Sequence, residues 1–323
     1  MIPATRIETK YYAVNPSEYY QRGRLFVDHT MRHRDWRTKV TEICTDIARE
    51  LIEKGGIKPS DVGLISFNST TGCANPDIPA RVAANLGMPH WVRRTQILHQ
   101  GCYGSVPNMV RCVEGLLGKR TSSYALALTS ELCSLTLEPS NKEKDYKVAV
   151  VLFGDGSAGV LLKRIDYTLF DILGSEKPSK KIPTVIDYET YTDFKTLSEM
   201  SFELINEGFH FVLSRNVPSL LGEVVHRPVN RILKRNSLEM SDIDHWLIHP
   251  GGVAILQAVC DALKLDLEET CKISLEVNRK CGNMSSATIL FCLQEFLERG
   301  LDGRVMLLTF GPGLTVELVL LEI

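Results

Sequence analysis

The chain has 323 residues, 44% hydrophobic and 24% charged, with a formal net charge of −2. That profile is globular, long enough for one large domain or two medium ones, and without the basic footprint of a nucleic-acid binder. No apolar run approaches the ~18 residues of a membrane span, and Met1–Arg6 lacks the basic-then-apolar pattern of a secretory leader, so the expected location is the cytoplasm. Nine cysteines, with no C-x-x-C pair, argue against a disulfide framework and against a zinc site. They read as reduced, mostly buried small hydrophobes, and no metal is expected.

The first thirty-odd residues are Tyr-rich and poorly periodic, and no element is assigned to them. Arg32, Arg34, Trp36, Arg37 and Lys39 follow as a basic stretch with one aromatic. Such a stretch suits coenzyme phosphates and adenine, or an acidic carrier protein; a solvated helix face is the plainer alternative. Ser60-Asp61 then leads into an apolar strand from Val62.

Cys102 sits in Gln100-Gly101-Cys102-Tyr103-Gly104. Behind it, Val106, Met109, Val110, Val113, Leu116 and Leu117 recur at helical spacing, with Pro107 tolerated in the first turn and Gly118 as a stop. Cys102 therefore lies at or just before a helix N-terminus, where exposed N–H groups and the dipole favour a thiolate. It is a candidate nucleophile; a small buried cysteine is the other reading. Ala125–Thr129 is a strand. From Lys163 to about Glu199 the chain is polar, with Lys177–Lys181 reading as loop, and the stretch is taken as a linker with an irregular cap.

Trp246-Leu247-Ile248 is a strand that ends in His249. A Pro250-Gly251-Gly252 break follows, then a helix from about Val253 to Leu263. A histidine at such a strand end projects into a cavity or serves the core. Asn283 opens another segment, as an N-cap or as a neutral donor. Val305–Thr309 is the last clear strand.

Three landmarks recur along the chain. Ser60-Asp61 matches Ser241-Asp242, Gly101-Cys102 matches Gly282-Asn283, and Ala125–Thr129 matches Val305–Thr309, at offsets of 181, 181 and 180 residues. Ordered repeats at nearly one offset point to duplicated halves, here residues 1–162 carrying the cysteine and 163–323 carrying linker, histidine and asparagine. Alternating helices and strands make this an α/β sandwich. A twofold relation between the halves brings the Cys102 helix start close to the Asn283 helix start, and with His249 the three element ends offer a nucleophile with two neutral donors. Papain-like proteases use the same three residue types, but with another local signature and without repeated halves.

With these residues assembled, the chain resembles the thiolase superfamily, and within it the chalcone synthase-like (type III polyketide synthase) and ketoacyl synthase III-like condensing enzymes. The carriers are Gln100–Gly104, Leu152-Phe153-Gly154-Asp155-Gly156, His249–Gly252, Gly282–Ala287 and Phe310-Gly311-Pro312-Gly313-Leu314-Thr315-Val316-Glu317. The resemblance implies a five-layered αβαβα sandwich, a homodimer, and Claisen condensation of thioesters on coenzyme A or an acyl carrier protein, with no other cofactor. It implies acylation of Cys102, with His249 and Asn283 donating to an enolate. The acyl oxyanion would be held by the Cys102 N–H and by Gly311 or Gly313, since Pro312 has no N–H. Phe153 matches a gatekeeper position, with core packing as its alternative. Glu131, Cys133 and Thr136 fall in the cavity-lining stretch, with Cys133 in place of a usual Thr. Thr70–Pro76 resembles the loop that reaches the partner's cavity, with Asn75 where an apolar Met is usual. The first sixty residues match poorly. The leading reading is a condensing enzyme of polyketide or related secondary metabolism. Acyl transfer to an alcohol or amine without condensation is the alternative, and the intact Cys-His-Asn set argues against a non-catalytic subunit.

Overall fold

The computed structural model describes residues 5–21, 29–118, 123–138, 141–142, 144–165, 182–205 and 208–323. The first half builds one sheet from β1 (Val62–Ser69), β2 (Arg93–Leu98), β3 (Tyr124–Glu131) and β4 (Gly156–Lys163), in the order β2-β1-β3-β4. β1 runs parallel to β2 and β3, and β4 returns antiparallel. The second half contributes β5 (Thr184–Thr192), a hairpin of β6 (Met200–Ile205) and β7 (Gly208–Leu213), then β8 (His245–Ile248), β9 (Arg304–Gly311) and β10 (Thr315–Glu322). Its main sheet is ordered β5-β10-β9-β8, with β8 parallel to β9 and the other pairs antiparallel.

Side-chain alternation explains the layering. In β3, Ala125 and Ala127 face inward and Leu126 and Leu128 face outward. The small inward residues admit the helix Ser105–Leu117, which packs Val106, Met109 and Cys112 against them. The helix Thr288–Glu298 lies in the same layer through Ile289, Leu293 and Phe296, against Leu247, Val305 and Leu307 of the second sheet. Outside the first sheet, the helices His29–Lys54 and Ile78–Asn85 cover Ile65, Phe67 and Leu128. Outside the second, the helices Val217–Val224, His226–Arg235 and Val253–Leu263 cover Met306, Leu308 and Leu318. The result is helix, sheet, helix, sheet, helix, the five layers expected. Each fully buried Leu or Ile in these layers contributes roughly 1.5–3 kcal/mol.

The duplication is visible in detail. Short 3₁₀ turns at Pro59–Asp61 and Met240–Asp242 precede β1 and β8. In one the Lys58 N–H donates to Asp61 Oδ2 at 2.8 Å, and in the other the Glu239 N–H donates to Asp242 Oδ2 at 2.7 Å. The turns Gly101–Tyr103 and Ser285–Ala287 likewise precede the two central helices. The halves do not match strand for strand, however. The residues 181 after β2 lie in the helix Lys272–Cys281, whose Ile273 and Val277 recur at helical spacing, with Arg279 and Lys280 in its last turn.

Two other expectations change. The polar stretch after Lys163 is not all linker, because Thr184–Thr192 forms the edge strand β5. Its Asp187 and Glu189 answer Arg235, at 2.7 Å each, which gives a strand the composition of a loop. The Lys177–Lys181 loop lies outside the described residues. The N-terminal segment is irregular ahead of a short helix, Pro16–Gln21: the amides of Glu8 and Thr9 both donate to Arg279 O, and Tyr11 O accepts from the Asp155 N–H. Cys112 and Cys292 are core residues, and all nine cysteines are free. Among the described residues, no helix is long and apolar enough to cross a membrane, and no three His, Cys, Asp or Glu side chains gather as metal ligands.

Candidate active site

The turn that presents Cys102 is forced by its neighbours. β2 ends at Leu98, and the backbone then bends through His99 and Gly101 at φ 60° and 66°. A Cβ at Gly101 would sit 2.4 Å from Pro312 Cδ, and one at Gly104 would sit 2.3 Å from the Asn68 amide. Both glycines are therefore required on steric grounds. The Gly101 N–H donates to Thr70 Oγ1 at 2.9 Å. Cys102 lies in the 3₁₀ turn just before the helix that starts at Ser105.

Asn283 arrives from the other half on the segment after Lys272–Cys281. Its N–H donates to Leu152 O and its carbonyl accepts from the Gly154 N–H. The Ser285 N–H donates to Asn283 Oδ1 at 2.8 Å, which leaves the amide nitrogen as the donor end. The Asn283 and Ser285 side chains come close enough to Cys102 to lower its thiol pKa. The seam is further tied by Thr129 and Ser286, whose hydroxyls meet at 2.9 Å across the halves.

His249 ends β8, with its N–H donating to Leu308 O at 2.8 Å. Its ring stands edge-on to Phe310, with centroids 5.4 Å apart, and Phe310 leads directly into Gly311. A Cβ on Gly311 would lie 3.3 Å from Cys102 N and 2.8 Å from Tyr103 Cδ1. The chain Phe310-Gly311 thus links the histidine's packing to the nucleophile's amide. Gly311 is extended, so its lack of a side chain is explained by Tyr103 and Cys102, not by its dihedrals. Gly313 takes φ 76° and borders a larger cavity.

The electrostatics depart from the dipole argument. Burial pushes the Cys102 thiol up to about 12, opposed by the Ser285 and Asn283 side chains and reinforced by Glu131. Burial alone pushes His249 down to about 3. Each group taken singly is therefore neutral near pH 7. Among the described residues neither His249 nitrogen has a hydrogen-bond partner, although the residue is fully buried. Leaving such a group unpaired costs free energy.

Glu131 is fully buried beneath this centre. It accepts from the Thr70 and Thr71 amides at 2.9 and 3.2 Å, and from the Ser286 hydroxyl. Burial raises its pKa. Cys133 and Thr136 line a cavity with Thr71, Ser285 and Phe153. Phe153 is bridged to Asn283 through its backbone and meets Phe211 of β7 edge-on, centroids 5.8 Å apart. Phe211 lay in no motif, because a short hairpin gives little periodicity to read.

Asn75 is exposed and lines neither the cavity around Cys133 and Phe153 nor the larger one beside Gly313. The basic stretch does not act as one face. Arg32 is buried, donating to Leu137 O at 3.0 Å and to Glu138 at 2.6 Å. Trp36 is buried too, with its indole N–H on Thr71 Oγ1 at 3.1 Å. Arg34 is exposed, and Arg37 and Lys39 are half-buried. Arg32 and Trp36 instead line a cavity of about 700 Å³ with Thr71, Thr136, Met200 and Gly313. Thr71 and Thr136 border both cavities.

Known proteins resemble this chain in sequence and fold. Residues 24–164 match the family model for the N-terminal domain of chalcone and stilbene synthases, and residues 194–323 match that for the C-terminal domain. The chain is 29% identical to 1,3,6,8-tetrahydroxynaphthalene synthase of Streptomyces peucetius subsp. caesius, over 98% of this chain and 81% of that one. PKS-I of the brown alga Ectocarpus siliculosus has the same fold, with a TM-score of 0.88 at 24% identity, over 99% of this chain and 87% of that one. CsyB, solved in complex with CoA-SH, has a TM-score of 0.87 at 24% identity, over 99% and 89% of the two chains.

Proposed function

Because the chain belongs to the chalcone and stilbene synthase family, we propose that it is a type III polyketide synthase with Cys102, His249 and Asn283 as its catalytic residues. It joins acyl thioesters by Claisen condensation. The observation that supports the residue assignment is the approach of the Asn283 side chain, whose oxygen is already held, to Cys102, together with a fully buried imidazole at His249 whose two nitrogens are unpartnered among the described residues.

In the first step His249 takes the Cys102 proton and the sulfur attacks the starter thioester. The oxyanion is held by the Cys102 N–H and by an N–H of Gly311 or Gly313, and the carrier leaves as a thiol. In the second, a malonyl-type thioester loses carbon dioxide. The enolate oxygen rests on His249 and the Asn283 amide, which are neutral and so do not oppose its charge. The enolate carbon then attacks the Cys102 thioester and expels the sulfur, leaving a β-ketoacyl thioester. The ordered Asn283 donor favours this over simple acyl transfer, which has no enolate to hold.

Residues 1–162 supply the nucleophile and 163–323 its two donors. The CoA-SH bound to CsyB supports coenzyme A as carrier, with the outer cations Arg34 and Arg37 left to meet it; an acyl carrier protein is the other source of the thioester. A cytoplasmic homodimer is the assembly proposed. It is supported by β2 as an edge strand, whose Gln96 holds the Asn75 loop through Ala74 O at 3.1 Å and the Ile78 N–H at 3.0 Å. That loop is exposed on its own subunit.

The test is intact-protein mass spectrometry with a panel of acyl-CoA thioesters, followed by malonyl-CoA. One acyl mass should appear on Cys102, and a carbon-extended product should follow. Labelling of Cys102→Ala to the same extent would overturn the assignment.

A further inference from the structure

The helix Lys144–Leu152 ends beside both Phe153 and Asn283, and its last carbonyls are all taken. Ala149 O accepts from the Phe153 N–H, and Leu152 O accepts from the Asn283 N–H. The amides that would continue the helix are diverted, that of Gly154 to Asn283 O and that of Asp155 to Tyr11 O. This leaves the carbonyls of Val150, Val151 and Phe153. One side chain meets all three: Lys10 Nζ donates to them at 2.7, 3.1 and 3.2 Å. An ammonium has three donors and no acceptor, and a cation is favoured at a helix C-terminus. The stem of Lys10 is wedged in place as well. A Cβ on Gly282, the residue before Asn283, would lie 2.8 Å from Lys10 Cγ.

We propose that Lys10 is a positioning residue for the condensation step. Its ammonium fixes the backbone of Phe153. Through Leu152 and Gly154, which bracket Asn283 by backbone hydrogen bonds, it also sets the enolate donor against Cys102. The proposal rests on the catalytic reading above. It adds that an N-terminal segment, remote in sequence from every motif, couples the aromatic side of the cavity to the donor. Acylation of Cys102 draws on Cys102, His249 and the 311–313 loop, none of which Lys10 touches.

The experiment compares Lys10→Met, Lys10→Gln and Lys10→Arg with wild type. The probe is an acyl-CoA that loads the wild-type protein, followed by malonyl-CoA. Single-turnover acylation, the first condensation and the melting temperature are measured for each. Lys10→Met should acylate within about twofold of wild type and condense roughly ten- to a hundredfold more slowly, the scale of a misplaced catalytic group. Lys10→Arg, which restores several donors, should recover most of the condensation rate, with Lys10→Gln between. If Lys10→Met does not fold, the Gln and Arg variants give the same ratio of steps. Equal condensation in all variants overturns the proposal. So does an equal loss of both steps, or an Arg variant no better than Met. Failure of the catalytic reading is seen separately, as wild-type protein that takes no acyl group on Cys102.

Discussion

Asn283 turns its side-chain oxygen to the Ser285 N–H at 2.8 Å, so its amide nitrogen is the end available to donate. The orientation of the donor is set before any substrate arrives. Asn283→Ala should therefore still load an acyl group on Cys102 but lose condensation by about 10²–10³, some 3–4 kcal/mol. Asn283→Asp should be at least as harmful, because its charge opposes the enolate. Product formation by Asn283→Ala at the wild-type rate would remove the enolate role.

The state of the nucleophile depends on its base. Burial raises the Cys102 thiol and depresses His249, and in the proposed mechanism it is the imidazole that receives the thiol proton. In His249→Ala the pH midpoint for alkylation of Cys102 by iodoacetamide should move upward, and the rate at neutral pH should fall. Peptide mapping isolates Cys102 from the other cysteines. An unchanged midpoint would mean that His249 is not the proton acceptor.

Gly311→Ala places a methyl 2.8 Å from Tyr103 Cδ1 and 3.3 Å from Cys102 N. The loop must retreat, which costs about 1–3 kcal/mol of stability and displaces the 311–313 segment proposed to hold the acyl oxyanion. Acylation itself should slow by roughly 10²–10³, unlike in Asn283→Ala. Rapid-quench acylation together with a melting curve separates the two effects.

Arg32 and Glu138 form an ion pair with side chains only 9% and 13% exposed. Arg32→Met leaves a carboxylate in a poorly solvated place, and should lower stability by about 3–5 kcal/mol. Arg34→Met, at an exposed position, should cost little. Denaturant unfolding of both variants checks the contrast, and equal stability would place Arg32 at the surface.

Glu317 is a pH-dependent element of the fold. Burial raises its pKa to about 7, against the hydrogen bond from Thr190 at 2.7 Å. Between about 4.5, where the unfolded chain titrates, and about 7 the folded state keeps a proton that the unfolded state gives up. Its contribution is therefore complete below that window and lost as pH rises through it, by roughly 3 kcal/mol in all. Glu317→Gln should remove this slope between pH 5 and 8 in urea unfolding. A slope identical to wild type would show that Glu317 does not titrate there.

The repeat, the turn at Cys102 and the turn at Asn283 could be read from the chain because each combines a glycine with a helix start in a fixed order. Other features had no such signature. Arg32 and Trp36 read as a cationic surface, yet Arg32, Trp36, Val40, Cys44, Ala48 and Ile52 form one buried stripe at four-residue spacing. The charge of Arg32 masked that period. β5 was hidden because an edge strand exposes polar residues that composition assigns to loops. Lys10 was invisible because its partners are carbonyls, and a backbone acceptor leaves no mark on the sequence.

The paired turns before β1 and β8 hold one further consequence. The same backbone bend is built once with Lys58 at its first position and once with Glu239 there, and its closing hydrogen bond differs by only 0.1 Å between 2.8 and 2.7 Å. Opposite charges at an equivalent site leave the geometry alike, while the aspartate three residues on is the same in both. The molecule thus carries an internal control experiment. One copy of the motif reports which of its positions tolerate drift, and the other reports which do not, without reference to any second protein.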